Sequence, residues 1–181
     1  MFAMLDINTR IFLKINSLIG KSTLLDGFGR AGAEWLIVAM GAWYAGAVFI
    51  DRMPEKHRVF WPLAFLAITW CFGWLINLGI AYSAREPRPY VSYPYIKSLF
   101  KPLMSWKSFP SDHAMSAFVI LFLAYIFKLP GSWALAPMAL WVCWGRVFAG
   151  AHYPLDIVGG ASVAVFVSLI VKYLALSLHI L

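Results

Sequence analysis

His152 and Asp156 stand four residues apart, with Pro154 between them. Proline suits the first turn of a helix. This places His152 just ahead of a helix and Asp156 in its first turn, where the two side chains can meet. A carboxylate that holds one imidazole nitrogen leaves the other free to attack, the usual arrangement of a nucleophile and its orienting partner. Six residues before His152, Arg146 closes an apolar stretch, where an unpaired cation is costly and functional side chains concentrate. A second stretch reads Ser108-Phe109-Pro110-Ser111-Asp112-His113. Ser111 or Asp112 can cap a helix there. The free N–H groups and positive end of that helix suit an anion. His113 falls in its first turn, and an imidazole that titrates near neutrality can protonate a leaving oxygen. A third stretch, Glu86-Pro87-Arg88-Pro89, supplies a guanidinium whose forked donors match phosphate oxygens.

Each stretch alone has a plainer reading, as an interfacial anchor or a helix cap. Together they offer two arginines, two histidines, an aspartate and a helix N-terminus. Such a set can bind a phosphoryl group, attack it and protonate what departs. The sequence holds no dense carboxylate cluster suited to magnesium. A zinc site of His113, His152 and Asp156 is the metal alternative, and the flanking arginines weigh against it by supplying positive charge already. No metal and no cofactor are expected.

These residues need elements to hold them together. Of 181 residues 62% are hydrophobic and 13% charged, with mean hydropathy +0.75. A soluble domain has about 25% charged residues. A spanning helix needs about 20 mostly apolar residues, and five stretches approach that: 31–50, 59–82, 111–129, 132–149 and 155–180. Pro130-Gly131 turns the chain between the third and fourth. The expected fold is all-α, a polytopic membrane bundle of five to six transmembrane helices forming one domain over 1–181. Residues 1–30 differ. Ile7, Ile11, Ile15, Leu18 and Ile19 recur at helical spacing among Asp6, Arg10, Lys14 and Lys21. That pattern suits a helix lying on the membrane interface, although Leu24, Leu25 and Phe28 would let it dip inward. The longest polar break, 82–110, carries Arg85, Arg88, Lys97, Lys101 and Lys107 against Glu86.

The net charge of +7 points to anionic lipid head groups and a phosphorylated substrate. It does not point to nucleic acid, since no basic run interleaves with aromatics. Cys71 and Cys143 lie in apolar stretches without a CxxC partner, and read as small buried hydrophobes. If the spans alternate, all three polar stretches share one side. Counting positive charges would put that side in the cytoplasm, but those cations serve better as phosphate ligands. No pattern in the sequence sets an oligomeric state.

The three stretches resemble the motifs of the type 2 phosphatidic acid phosphatase superfamily: K-x6-R-P, P-S-x-H and S-R-x5-H-x3-D. The resemblance covers about 59–170, the motif-bearing core. It implies a metal-independent membrane lipid phosphatase working through a phosphohistidine. His152 would be the nucleophile, Asp156 its orienting partner and His113 the acid. Arg88, Arg146, Ser111 and nearby backbone N–H groups such as that of Asp112 would hold phosphate. Two positions depart. Ala81 stands where the first motif has lysine, and Gly145 where the third has serine. Arg85 and Lys107 are candidates for the missing cation. Glu-Pro-Arg-Pro and Ser-Phe-Pro-Ser-Asp-His are most similar to the bacitracin-resistance (BcrC-like) undecaprenyl-diphosphate phosphatases. That likeness implies undecaprenyl diphosphate as substrate, membrane lipids as surroundings and a place in cell-wall carrier recycling. It also implies a bacterial plasma (inner) membrane location with the site at the outer, periplasmic face. Phosphatidylglycerophosphate, phosphatidate and lipid A are the alternative substrates within the superfamily. A non-catalytic phospholipid-binding or transport protein is the alternative class.

Overall fold

A computed structural model of the protein describes residues 6–52, 56–102 and 104–180, and these form helices joined by turns and loops. Helix α1 spans Ile7–Asn16, α2 Thr23–Arg30, α3 Leu36–Arg52, α4 Lys56–Ala84, α5 Pro89–Ser92, α6 Asp112–Ile126, α7 Leu135–Phe148 and α8 Pro154–Ser177. The described residues contain no strand, in keeping with the all-α expectation.

Helix α6 is the axis of the bundle. It is apolar on every side, and nine of its fifteen residues are buried, as expected of a helix enclosed by others. α3, α4, α7 and α8 surround it, with α8 in the broadest contact. Gly160 permits that contact: a Cβ there would lie 2.3 Å from the Ser111 carbonyl oxygen. The start of α6, with its capping Ser111, is therefore seated directly on α8. The core is aliphatic and aromatic, built around Met40, Tyr44, Met115, Leu123, Leu135 and Val142. The outward faces display Ile50, Ile68, Leu75, Phe166 and Leu169, a surface made for hydrocarbon and not for water.

Three stretches are long and apolar enough to cross a bilayer alone: Thr23–Asp51, Val59–Ser92 and Pro154–Ser177. α6 and α7, with 15 and 14 residues, reach only about 22 and 21 Å at 1.5 Å per residue, short of a hydrocarbon core of about 30 Å. Polar side chains sit at their ends, Asp112 and His113 at the start of α6 and Arg146 near the end of α7.

The first long helix begins earlier than the hydropathy edge at 31. Ser22 caps it, its side chain accepting from Leu25 N. Residues 23–30 continue through a wide π turn at Ala31–Trp35 into α3. Glycine is a weak helix former, but Gly29, Gly32 and Ala33 form the face laid on α7. α1 is separate and capped by Asp6, whose carboxylate accepts from Thr9 N at 2.9 Å. Its buried face is Thr9, Phe12 and Asn16, while Ile7 and Ile11 point outward. Phe12 meets Tyr153 edge-on at 5.2 Å. Asn16 donates to the carbonyls of Lys97 and Phe148. Ile7 and Ile11 thus face away from the bundle, whereas Ile15 packs beside Phe12 and Ile19 is buried; an aromatic ring and an amide bind α1 to the bundle.

Candidate active site

The three polar stretches meet at one end of the bundle. His152 occupies the corner between α7 and α8 and is 2% exposed. Its Nδ1 lies 2.8 Å from the Ser108 carbonyl oxygen and 3.4 Å from Asp156 Oδ2. Its Nε2 lies 3.0 Å from Arg88 Nη1. A carbonyl oxygen only accepts and a guanidinium only donates. The proton is therefore on Nδ1, and Nε2 carries the lone pair. Burial first, then the Arg88 and Arg146 cations, hold the imidazole well below its ordinary pKa. The ring is neutral and its unprotonated nitrogen points at a guanidinium.

Asp156 supports this corner more than it grips the ring. Its Oδ2 accepts from Ser108 Oγ at 2.6 Å and from Tyr153 N at 2.8 Å. The nearer partner of the imidazole is the Ser108 main chain. Ser108 is thus the functional residue that sequence reasoning passed over: a backbone carbonyl has no residue-type signature, and only its place in the second stretch pointed to it.

Arg88 is buried, its Nε donating to Met104 O at 2.7 Å and its Nη1 also to Ala151 O at 2.9 Å. Arg146 is buried with less satisfaction. One Nη donates to Ala33 O in the π turn at 3.0 Å, and the guanidinium lies 5.1 Å from the Phe100 ring centroid. Its Nε is buried without a partner among the described residues. A buried guanidinium with an unused donor marks a place for an anion, because an unsatisfied buried donor is expensive. Gly145 beside it has a packing reason: a Cβ there would lie 2.6 Å from Ala33 N and 2.8 Å from Gly32 C. Serine does not fit where α7 presses on the π turn.

Arg88, Lys101, Lys107, Arg146, His113 and His152 line one cavity of about 540 Å³, with Glu34 and Asp112 as its acids. Both histidines therefore face a common space. Among the described residues no set of three His, Cys, Asp or Glu is gathered as metal ligands. The trio weighed for zinc is not so arranged, and His152 Nε2 faces Arg88 instead. Three other expected phosphate ligands sit differently. Arg85 is exposed at the end of α4, its Nε donating to Tyr82 O at 3.3 Å, and lies outside the cavity. It ends the helix in the left-handed region, φ 46°, and so is turned from the site. Ser111 spends its hydroxyl capping Ala114 N and its own N–H on the Asp156 carbonyl. Asp112 lines the cavity, but as a carboxylate taken up by Lys107 and Asn77.

A second hollow adjoins the first. About 600 Å³ in volume, it runs between α3, α4 and α6 and is walled by Ile37, Leu63, Leu66, Trp70, Trp74 and Ile120. Val38, Asp112 and His113 belong to both spaces. A cationic cavity and an apolar groove thus share one wall.

Comparison with known proteins agrees with this architecture. Residues 59–178 match the PAP2 superfamily. The chain is 33% identical over 172 residues to the Bacitracin transport permease protein BcrC of Bacillus licheniformis, covering 94% of this chain and 81% of that one. It is 29% identical over 165 residues to Undecaprenyl-diphosphatase BcrC of Bacillus subtilis, covering 88% and 80%. The crystal structure of a PAP2-type phosphatidylglycerolphosphate phosphatase from Bacillus subtilis superposes with a TM-score of 0.69 at 19% identity, over 96% of this chain and 89% of that one.

Proposed function

Because this membrane protein belongs to the PAP2 superfamily of phosphatases, we propose that it hydrolyses undecaprenyl diphosphate to the monophosphate through a phosphohistidine on His152. The observation that carries the reading is the wall shared by cavity and groove. A lipid diphosphate needs that combination: a cationic space for the head and an apolar furrow for the first part of the tail. The diphosphatase name of the Bacillus subtilis relative supports the choice of lipid.

The chemistry follows from the hydrogen bonds. In the resting site Arg88 Nη1 sits on the Nε2 lone pair. The terminal phosphate draws that guanidinium onto its oxygens and frees the lone pair. Arg146 offers its unused Nε to the same phosphate. Nε2 attacks the terminal phosphorus and the bond to the bridging oxygen breaks. His113 gives that oxygen its proton. The positive charge formed on the imidazole is steadied by the Ser108 carbonyl and by Asp156. Water, deprotonated by His113, then cleaves the P–N bond and releases inorganic phosphate. Charge spread over the equatorial oxygens is where phosphoryl transfer gains most from fixed cations. The cavity faces the outer side of a bacterial plasma membrane in this reading.

The test is a panel of undecaprenyl diphosphate, phosphatidylglycerophosphate, phosphatidate and lipid A, each presented to the purified protein in detergent with phosphate release recorded. Preference for the diphosphate is expected. Preference for phosphatidylglycerophosphate would reassign the substrate. A His152→Ala variant should bind phosphate yet release none, and sustained hydrolysis by it would remove the nucleophile from the scheme.

A further inference from the structure

A carboxylate inside an anion-binding cavity asks for an explanation, and Asp112 has one in its partners. Lys107 Nζ donates to Asp112 Oδ1 at 2.7 Å and also to Oδ2. Asn77 Nδ2 donates to Oδ1 at 3.0 Å from the interior of α4. Lys107 and Asn77 are both buried. An ammonium has three donors. Among the described residues the hydrogen bonds of Lys107 go to Asp112, which leaves one N–H for a ligand in the cavity that Lys107 lines.

The position matters as much as the free donor. Ala81 lies one turn beyond Asn77 on α4, and residues four apart share a helix face. Asn77 reaches Asp112 from that face, so a longer cationic side chain at 81 would be directed to the same region. Ala81 is 1% exposed and carries no such chain. The ammonium arrives instead from the loop before α6.

We infer that Lys107 is a phosphate-binding residue of this chain, standing in from the loop for the cation absent at Ala81. Asp112 and Asn77 are its positioning residues: Asn77 holds the Asp112 carboxylate, which aims the ammonium at the bound phosphoryl group, and the ammonium offsets the carboxylate charge that would repel substrate. The inference rests on the reading of the cavity as a phosphatase site, and it identifies a ligand that the arginines and histidines leave out.

The test uses the full chain in detergent and two readouts, the affinity for inorganic phosphate and the kcat and KM for undecaprenyl diphosphate. A hydrogen bond to a charged group is worth about 1.5–3 kcal/mol, or roughly 10- to 100-fold in binding. Lys107→Met should weaken phosphate binding by that factor and raise KM more than it lowers kcat. Lys107→Gln keeps a donor for Asp112, so it reads the same loss should Lys107→Met fold poorly. Adding Ala81→Lys to either variant should recover about tenfold by returning an ammonium from the helix side. Phosphate affinity and KM both within about twofold of the native protein in Lys107→Gln would overturn the inference, even with hydrolysis intact. If the native protein hydrolyses none of the lipids but Lys107→Gln still weakens phosphate binding, the catalytic reading fails and the Lys107 assignment stands.

Discussion

The wall of the cavity that carries His152 and the wall that carries His113 differ in how much hydrogen bonding the protein completes for itself. At the α7–α8 corner both imidazole nitrogens have partners, and Asp156 Oδ2 gathers the Ser108 hydroxyl, the Tyr153 amide and the ring. Everything there is buried. His113, at the start of α6, is only half-buried and faces both the cavity and the apolar groove. The contrast fits a division of labour. A nucleophile gains from a fixed, dry frame, because misplacement by about 1 Å can cost about 100-fold in rate. In the proposed reaction, the side that receives the leaving lipid has to stay open to a chain that slides in from the bilayer.

If the closed wall holds the chemistry, damage there should be severe. Arg146→Gln removes a buried guanidinium with an unused donor. Loss of one such charge-stabilising donor costs roughly 10²–10³ in kcat. The same variant should shift the pH profile. His152 must be neutral to attack, so activity falls as pH drops through its pKa. Arg146 is one of the cations that hold that pKa down. Without it the pKa rises, and the acid limb of kcat/KM moves to higher pH. A limb that stays in place would detach His152 from the role of base-form nucleophile.

Ser108→Ala tests the support beneath the corner. It deletes the 2.6 Å bond to Asp156 and leaves the main-chain carbonyl on His152. The Tyr153 amide still reaches that Asp156 oxygen, and the loss of one hydrogen bond costs about 0.5–1.5 kcal/mol, so thermal unfolding should occur earlier and kcat should fall up to about tenfold. Unchanged stability and turnover would show that the corner does not need the hydroxyl.

The open wall should respond to the tail and not to the head. Ala67 lines the groove, and Ala67→Trp should fill it. kcat/KM for undecaprenyl diphosphate should drop about tenfold, within the 1–3 kcal/mol range of a misfitted apolar contact. A short-chain prenyl diphosphate should be little affected. Equal losses for both would separate the groove from tail recognition. The smallest effect belongs to Arg85→Ala. Its exposed side chain reaches only Tyr82 O among the described contacts, and turnover should stay within about twofold.

Much of this arrangement was legible in residue types and spacing. The four-residue step from His152 to Asp156, and the prolines beside both histidines, located helix starts that the structure places at Asp112 and Pro154. The apolar stretch 59–82 became α4, Lys56–Ala84, and 132–149 became a short turn followed by α7. What escaped notice has physical causes. Helix α2 falls within the amphipathic stretch 1–30, and it joins the first long helix because Gly29, like Gly32 after it, lets the segment pack closely on α7. The Ser108 carbonyl has no side-chain signature. The acid at Asp112 resembles a helix cap until Lys107 and Asn77 are seen on it. Gly145 looked like a departure from a motif, and the backbone of the π turn explains it. Arg85 was near in sequence but left the helix in the wrong direction.

The central claim is that His152 Nε2 takes the phosphoryl group. Brief incubation of the purified protein with undecaprenyl diphosphate labelled in its terminal phosphate, followed by an alkaline quench and peptide mapping, tests it directly. The expected result is an acid-labile, alkali-stable label on the peptide containing His152, lost in His152→Ala. A label on another residue, or full turnover by His152→Ala, would contradict the account.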